Sequence, residues 1–345
     1  MSRIWKDRIE YAALMLARMA VLMVILSLII FIIADKCPGD PLKSYYGDGA
    51  ERLSIEERQA AEARLGLDQP LPVRYVKWAK NFIKGDLGLS YKYKQPVSEV
   101  IGSMCPNTLI LGGIAYVLTF GLAIWLGKFC ALHEDSMADR IICKVGVVSG
   151  NSPAFTMALL LILIFSVNLR VFPAGGAYSY GMSGSIADRL YHLVLPVGVL
   201  VLEHLWYYAY MIRNKLIEET RQDYVLLCKA EGMPQRVIIN KSCMRNIMPS
   251  LLVMMAISVP HILGGTYVVE TVFAYPGLGT LSFESAMYKD YNMLMALCMV
   301  TGLVVLVFNM IAKILNEFID PRMQYEKRLG EEAEYEAEYE AEYEA

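Results

Sequence analysis

Charge is scarce in this 345-residue chain. Asp, Glu, Lys and Arg make up 19% of it, against about 25% in an ordinary soluble protein. Histidine is scarcer still: four copies are too few for a rich metal site. The seven cysteines form no CxxC pair and show no zinc-finger spacing, so a structural zinc module is excluded. No GxxxxGK[ST] stretch occurs, and the chain therefore cannot cradle nucleotide phosphates by that loop. The HExxH and GxSxG signatures of zinc peptidases and nucleophile-elbow hydrolases are missing too. Catalysis, a metal and a cofactor on this chain are not expected.

What the chain has instead is apolar length. Hydrophobic residues are 56% of it, and they gather in six blocks near 12–34, 108–130, 145–167, 191–211, 250–273 and 293–316. Each approximates the roughly 20 residues that cross a hydrocarbon core. Lipid offers no partner to open backbone groups, so the spans must be helices. The expected fold is all-α and polytopic, with six transmembrane helices and with both termini in the cytoplasm. The first block has a basic flank (Arg3, Lys6, Arg8) like a signal peptide. Its apolar run is too long for that, and it ends in Ala34-Asp35-Lys36-Cys37-Pro38 rather than a small-residue cleavage site.

Loop charge sets the orientation. An inside N-terminus puts 131–144, 212–249 and the C-terminal tail in the cytoplasm, and loop 212–249 alone has seven basic residues. Segment 35–105, placed outside, has eleven. A loop that large translocates largely regardless of charge. The divisions expected are 1–34 (first span), 35–107 (a small helical extracytoplasmic insertion), 108–326 (five spans with the polar loop 212–249) and an acidic tail, 327–345. The last fifteen residues hold eight Glu; without them 32 basic residues face 27 acidic ones, so the rest of the chain is basic. The tail reads as a solvated repeat or as a docking stripe of Tyr335, Tyr339 and Tyr343.

Inside the insertion, Ser54 and Glu57 form a capping box. It predicts a helix from Ile55 to Leu65 that stops at Gly66. Pro72 suits the first turn of a second helix, with Tyr75, Val76, Ala79, Phe82 and Ile83 as its apolar stripe and Gly85 as its end. That stripe packs on the membrane domain or meets an external partner. Cys37 and Cys105 would both lie outside and could pair.

The polar stretch Asp223–Pro249 stands between two apolar runs. Gly232 permits a sharp turn between two short helices, and Pro234 suits the start of the second. Glu203 and His204 lie inside the fourth span, where an ionisable group costs about 2.5–3.5 kcal/mol on insertion scales. Either they face a cavity, or they bond between helices or pair with Arg213. Asn151, Ser152, Pro153 and His261 are weaker candidates for the same path. Pro153 and Pro196 are expected to interrupt spans.

Several pieces, in order, carry a resemblance: CPGDPL, LGLDQPLPVRYVKWAKNFIKGDLGLSY, QPVSEVI, PNTLIL, SPAF, FPAGG, DYVLLCKAEGM, RNIMPSLL, GGTYVVETVFAYPGLGTL, KDYNML and IDPRMQY. Over residues 3–326 the chain resembles the permease subunit of a binding-protein-dependent ABC importer, and in particular the first permease of the peptide/nickel class. The resemblance implies a second homologous permease, two ATPase subunits that hold ATP and Mg, an extracytoplasmic substrate-binding protein, and residence in a bacterial or archaeal cytoplasmic membrane. It implies an ATPase-coupling loop at Asp223, Tyr224, Lys229, Ala230, Glu231, Gly232, Arg236, Arg245 and Asn246. It implies an outer turn at Tyr275, Pro276, Gly277 and Gly279, structural or gating. One departure is that Leu226-Leu227-Cys228 stands where the wider superfamily often has Glu-Ala-Ala. Di- and oligopeptides are the expected cargo, with nickel or a metal chelate as the alternative. An ATPase-independent secondary transporter remains the reading of another class.

Overall fold

In a computed structural model, residues 2–36, 42, 46–66, 68–149 and 153–319 are described. Among them the regular structure is helical, apart from an isolated antiparallel bridge between Leu89 and Pro96. The order is α1 (Ser2–Lys36), a 3-10 turn (Gly47–Arg52), α2 (Ile55–Leu65), α3 (Leu71–Ile83), α4 (Val97–Leu132), α5 (Met137–Ser149) and α6 (Ala154–Leu161), which runs on as a π-helix over Ile162–Asn168. Then come α7 (Ile186–Thr220), α8 (Asp223–Ala230), α9 (Gln235–Val272, with a π-helical stretch at Ile238–Cys243), α10 (Leu278–Met287) and α11 (Tyr291–Ile319).

Among the described residues five helices are long and apolar enough to cross a membrane: α4, α7, α9, and the segments Leu14–Ile33 and Tyr291–Leu315 of α1 and α11. The third block, 145–167, is not among these five. Its residues divide between α5 and the shorter apolar helix Ala154–Asn168, and Pro153 stands at the N-cap of the latter. Pro lacks an N–H and is best accommodated where a helix begins. Pro196, by contrast, does not break its helix: it lies within the continuous α7. A transmembrane helix tolerates it because neighbouring groups can satisfy the freed carbonyl.

The chain divides into two compact units. The first comprises the described residues of Met1–Leu118, Ser152–Glu203 and Ile262–Leu306. In it α2 carries both reciprocal bonds of the capping box, Glu57 N–H to Ser54 Oγ at 3.2 Å and Ser54 N–H to Glu57 Oε2 at 2.8 Å. It ends at Gly66 in the left-handed region. The Tyr75 face of α3 packs on α1 through Ser27 and Phe31, so that side of the expected stripe meets the membrane domain. Val76 and Ile83 are exposed. A core of Val97, Val100, Ile101, Leu281, Met293, Ala296 and Leu297 ties α4, α10 and α11 together. Beside it the buried Asp290 accepts hydrogen bonds from Ser90 Oγ and from the backbone N–H groups of Lys92 and Met293, the last capping α11.

The second unit comprises the described residues of Thr119–Asn151, His204–His261 and Val307–Ala345. Ile212, Leu216, Ile238, Ile239 and Cys243 are fully or nearly fully buried there. Asp139 of α5, 1% exposed, receives Arg213 of α7 through Nη2 at 2.6 Å and Nε at 2.9 Å. Arg213 is therefore the partner of Asp139. Burial pushes the Asp139 carboxyl up, but the Arg213 hydrogen bonds and the Asp135 N–H outweigh it and hold it below the usual carboxylate value.

The residues Asn151 and Ser152, the possible partner Cys37, and the tail 327–345 lie outside the described residues.

Candidate functional site

The polar stretch folds as an elbow. α8 ends in a complete Schellman turn: Met233 N–H bonds Cys228 O at 3.1 Å and Gly232 N–H bonds Lys229 O at 3.0 Å. Gly232 has φ +80°, the conformation such a turn needs and L side chains resist. A Cβ there would meet nothing within 4 Å, so the glycine answers a backbone demand and not a packing one. Pro234 then caps the next helix. That helix is not short, as the sequence suggested. It continues through the π-helical stretch into the long span of α9.

The tip of the elbow is bare. Every residue from Lys229 through Val237 is exposed, as are Leu226 (59%) and Leu227 (62%). Leu226, Leu227, Met233 and Val237 form apolar contact area, with Lys229, Glu231 and Arg236 beside them. In contrast, the base of the elbow is clamped. Val225 is 1% exposed. Tyr224 donates its hydroxyl to Glu219 Oε1 at 2.9 Å, and Asn246 Nδ2 donates to the same oxygen at 3.0 Å. One carboxylate in the last turn of α7 thus holds the start of α8 and the base of α9. Burial, then the contacts to Cys243 and Glu219, push the Tyr224 hydroxyl well above its ordinary value, so it remains a donor. Sequence reasoning picked Tyr224 and Asn246 but missed Glu219. The available signal was an acidic pair, Glu218-Glu219, in an otherwise basic loop. Asp223, Arg245 and Asn246 are exposed around this base.

The second cluster surrounds Tyr275-Pro276-Gly277-Leu278-Gly279, in the first unit. Tyr275 is fully buried. The first two backbone donors of α10 are taken: Leu278 N–H bonds Thr108 Oγ1 at 2.8 Å, and Gly279 N–H bonds Glu270 Oε2 at 2.6 Å. Pro276 O accepts from Asn107 Nδ2 at 2.6 Å, and Asn107 Oδ1 accepts from Arg189 Nη2 at 2.7 Å. Glu270, 0% exposed, explains both glycines. A Cβ on Gly277 would stand 2.4 Å from the Glu270 carboxyl, and one on Gly279 would stand 2.5 Å from Tyr267 Cα. A carboxylate at a helix N-terminus complements the helix dipole. Glu270 also escaped sequence reasoning, although an acidic residue inside an apolar block was a readable sign.

The remaining candidates are dispersed along the chain. Pro153 begins α6, Glu203 and His204 are half-buried midway along α7, and His261 is exposed after Pro260 in α9. The His204 ring lies nearly parallel to that of Tyr208, with centroids 6.4 Å apart. Among the described residues no group of three or more His, Cys, Asp or Glu could hold a metal ion.

Comparison with known proteins agrees with this architecture. The model of the family described as "Binding-protein-dependent transport system inner membrane component" matches residues 123–325. That of the N-terminal part of such membrane components matches residues 13–112. The oligopeptide transport system permease protein AppB of Bacillus subtilis (strain 168) is 33% identical, over 87% of this chain and 94% of its own. The oligopeptide transport system permease protein OppB of Haemophilus influenzae is 31% identical, over 86% of this chain and 92% of its own. Among solved structures, an inward-facing MetNI methionine ABC transporter aligns with a TM-score of 0.53 at 13% identity, covering 65% of this chain and 97% of that one. At that identity the likeness is one of fold.

Proposed function

We propose that this chain, which belongs to the family of binding-protein-dependent transport system inner membrane components, forms half of the translocation pathway of an ATP-driven importer of di- and oligopeptides. The names of the relatives support the cargo. The observation that carries the mechanism is the elbow of α8 and Gly232. Its tip offers exposed Leu226, Leu227, Met233 and Val237 with Lys229 and Arg236, while its base is clamped by Glu219. A rigid, amphipathic projection of this kind suits a groove on an ATPase: the apolar tip supplies contact area and the cations supply orientation. ATP and Mg reside on two such ATPase subunits, and this chain does no chemistry. A second homologous permease completes the pathway, and an extracytoplasmic binding protein delivers the peptide. The chain sits in the cytoplasmic membrane of a bacterium or archaeon, both termini inside, with Ala154–Asn168 as the sixth crossing.

The test is co-purification. ATPase subunits should accompany the intact chain and be lost when Leu226 and Leu227 are both changed to Asp, with membrane insertion unaltered. Retention of the ATPases by that variant removes the coupling assignment. Uptake of nickel complexes in place of peptides would shift the cargo to the metal branch of the same class, and proton-driven uptake by the isolated chain would support a secondary transporter.

A further inference from the structure

A cavity of about 200 Å³ opens where the C-terminal end of α1, helix α3 and the start of α11 meet, all within the first unit. Its depth in the membrane follows from its neighbours. Tyr75 of α3 shares a 2.8 Å hydrogen bond with Ser27 and sets its ring edge-on to Phe31, 5.4 Å between centroids. Both α1 residues lie in the last two turns of the candidate span Leu14–Ile33. α3 therefore lies at headgroup level, where Tyr and Trp settle, and Trp78 lines the cavity.

The cavity walls sort by charge. Arg74 is occupied by Asp35 at 2.5 Å. Asp86 also lines the cavity and accepts the Gly88 N–H at 3.0 Å. Lys77, one turn beyond Arg74, has no ion pair among the described residues. It also belongs to a second hollow, formed with Pro72, Val73, Val76 and Lys80, in which Val73 and Val76 are about half exposed. The Lys77 ammonium, without an ion pair among the described residues, thus stands between a polar, aromatic cavity and an apolar hollow. That is the chemistry of an amphiphile with an anionic junction between head and tail.

We propose that this is a binding site for a single glycerophospholipid of the leaflet at the C-terminal end of α1. Its phosphate meets Lys77, its headgroup fills the cavity beside Trp78 and Asn81, and its apolar part covers Val73 and Val76. Asp86 suits the ammonium of an ethanolamine headgroup. The site does not depend on the cargo, and it would survive a failure of the peptide reading.

The experiment follows acetylation of Lys77 by mass spectrometry in the detergent-solubilised full transporter. Short-chain (dioctanoyl) phosphatidylethanolamine should protect Lys77 and leave the exposed Lys84 reactive. Equal protection by inorganic phosphate alone would make the site one for a free anion and overturn the lipid. Protection by the binding protein, with none from lipid, would overturn it in favour of a protein partner. In a second arm, Lys77→Glu should weaken lipid binding on the order of tenfold, while Lys84→Glu, at the exposed C-cap of the same helix and outside both hollows, should not. Equal losses in both would mean general surface charge and no site.

Discussion

Replacing Glu219 with Ala removes the acceptor shared by Tyr224 and Asn246 and should loosen α8 without unfolding the chain. Each bond is to a carboxylate, for which a net value of about 1.5–3 kcal/mol is usual when buried. Glu219 is half-buried, and Asn246 is exposed, so solvent replaces part of that. A loss of about 2 kcal/mol is a fair figure for the pair. It would raise the population of detached α8 roughly thirtyfold. Burial of Val225 still opposes release, so the effect should be local. Two assays read it. Amide hydrogen exchange over 223–232 should accelerate by about that factor, with the rest of α7 unchanged. In the reconstituted complex, transport per ATP hydrolysed should fall. Glu219→Gln keeps an acceptor oxygen and should sit between wild type and Ala. Tyr224→Phe should add little to Glu219→Ala, because Glu219→Ala already removes the bond from Tyr224. Exchange in Glu219→Ala that matches wild type, together with normal coupling, would refute the clamp.

Other expectations follow from the same geometry. Gly232→Pro forbids φ +80° and deletes the N–H bonded to Lys229 O; insertion should be intact and ATPase coupling lost, and normal transport would refute the assignment. Gly279→Ala forces a methyl to 2.5 Å from Tyr267 Cα and 2.8 Å from Glu270 Oε2, so thermal stability in detergent should fall by about 2–3 kcal/mol. Asp139→Asn leaves Arg213 without its charge partner and should cost about 3 kcal/mol. Because Asp139 is held below its ordinary value, its contribution is complete above about pH 4 and is lost as pH falls through the folded value. A melting-temperature series should show that acid loss in wild type and a smaller one in Asp139→Asn. Glu203→Gln should alter uptake of cationic peptides if the residue lines the path; unchanged uptake with lower thermal stability would assign it to packing.

The local signals were the legible ones. Ser54, Glu57 and Gly66 name a helix and both its ends because every contact involved lies within a few residues. Gly232 is equally readable, since a left-handed turn is written in one residue. The other glycine pair was legible only halfway. Gly277 and Gly279 announce tight backbone, but the reason is a carboxyl from α9, Glu270, that periodicity cannot place. Asp139 and Arg213 are 74 residues apart, and Asn246 reaches Glu219 across 27. Such pairings are fixed by how helices pack, which composition does not reveal. Hydropathy found the apolar block at 145–167 but averages over Pro153, so it cannot see that a helix begins there.

ATP hydrolysis by the full complex in proteoliposomes, measured with and without the cognate binding protein and a peptide series, tests the central claim most directly. A permease coupled through the α8 elbow requires hydrolysis to rise with peptide-loaded binding protein and the rise to vanish in Gly232→Pro. Peptide uptake that proceeds without ATPase subunits, or hydrolysis indifferent to the binding protein in wild type, would contradict it.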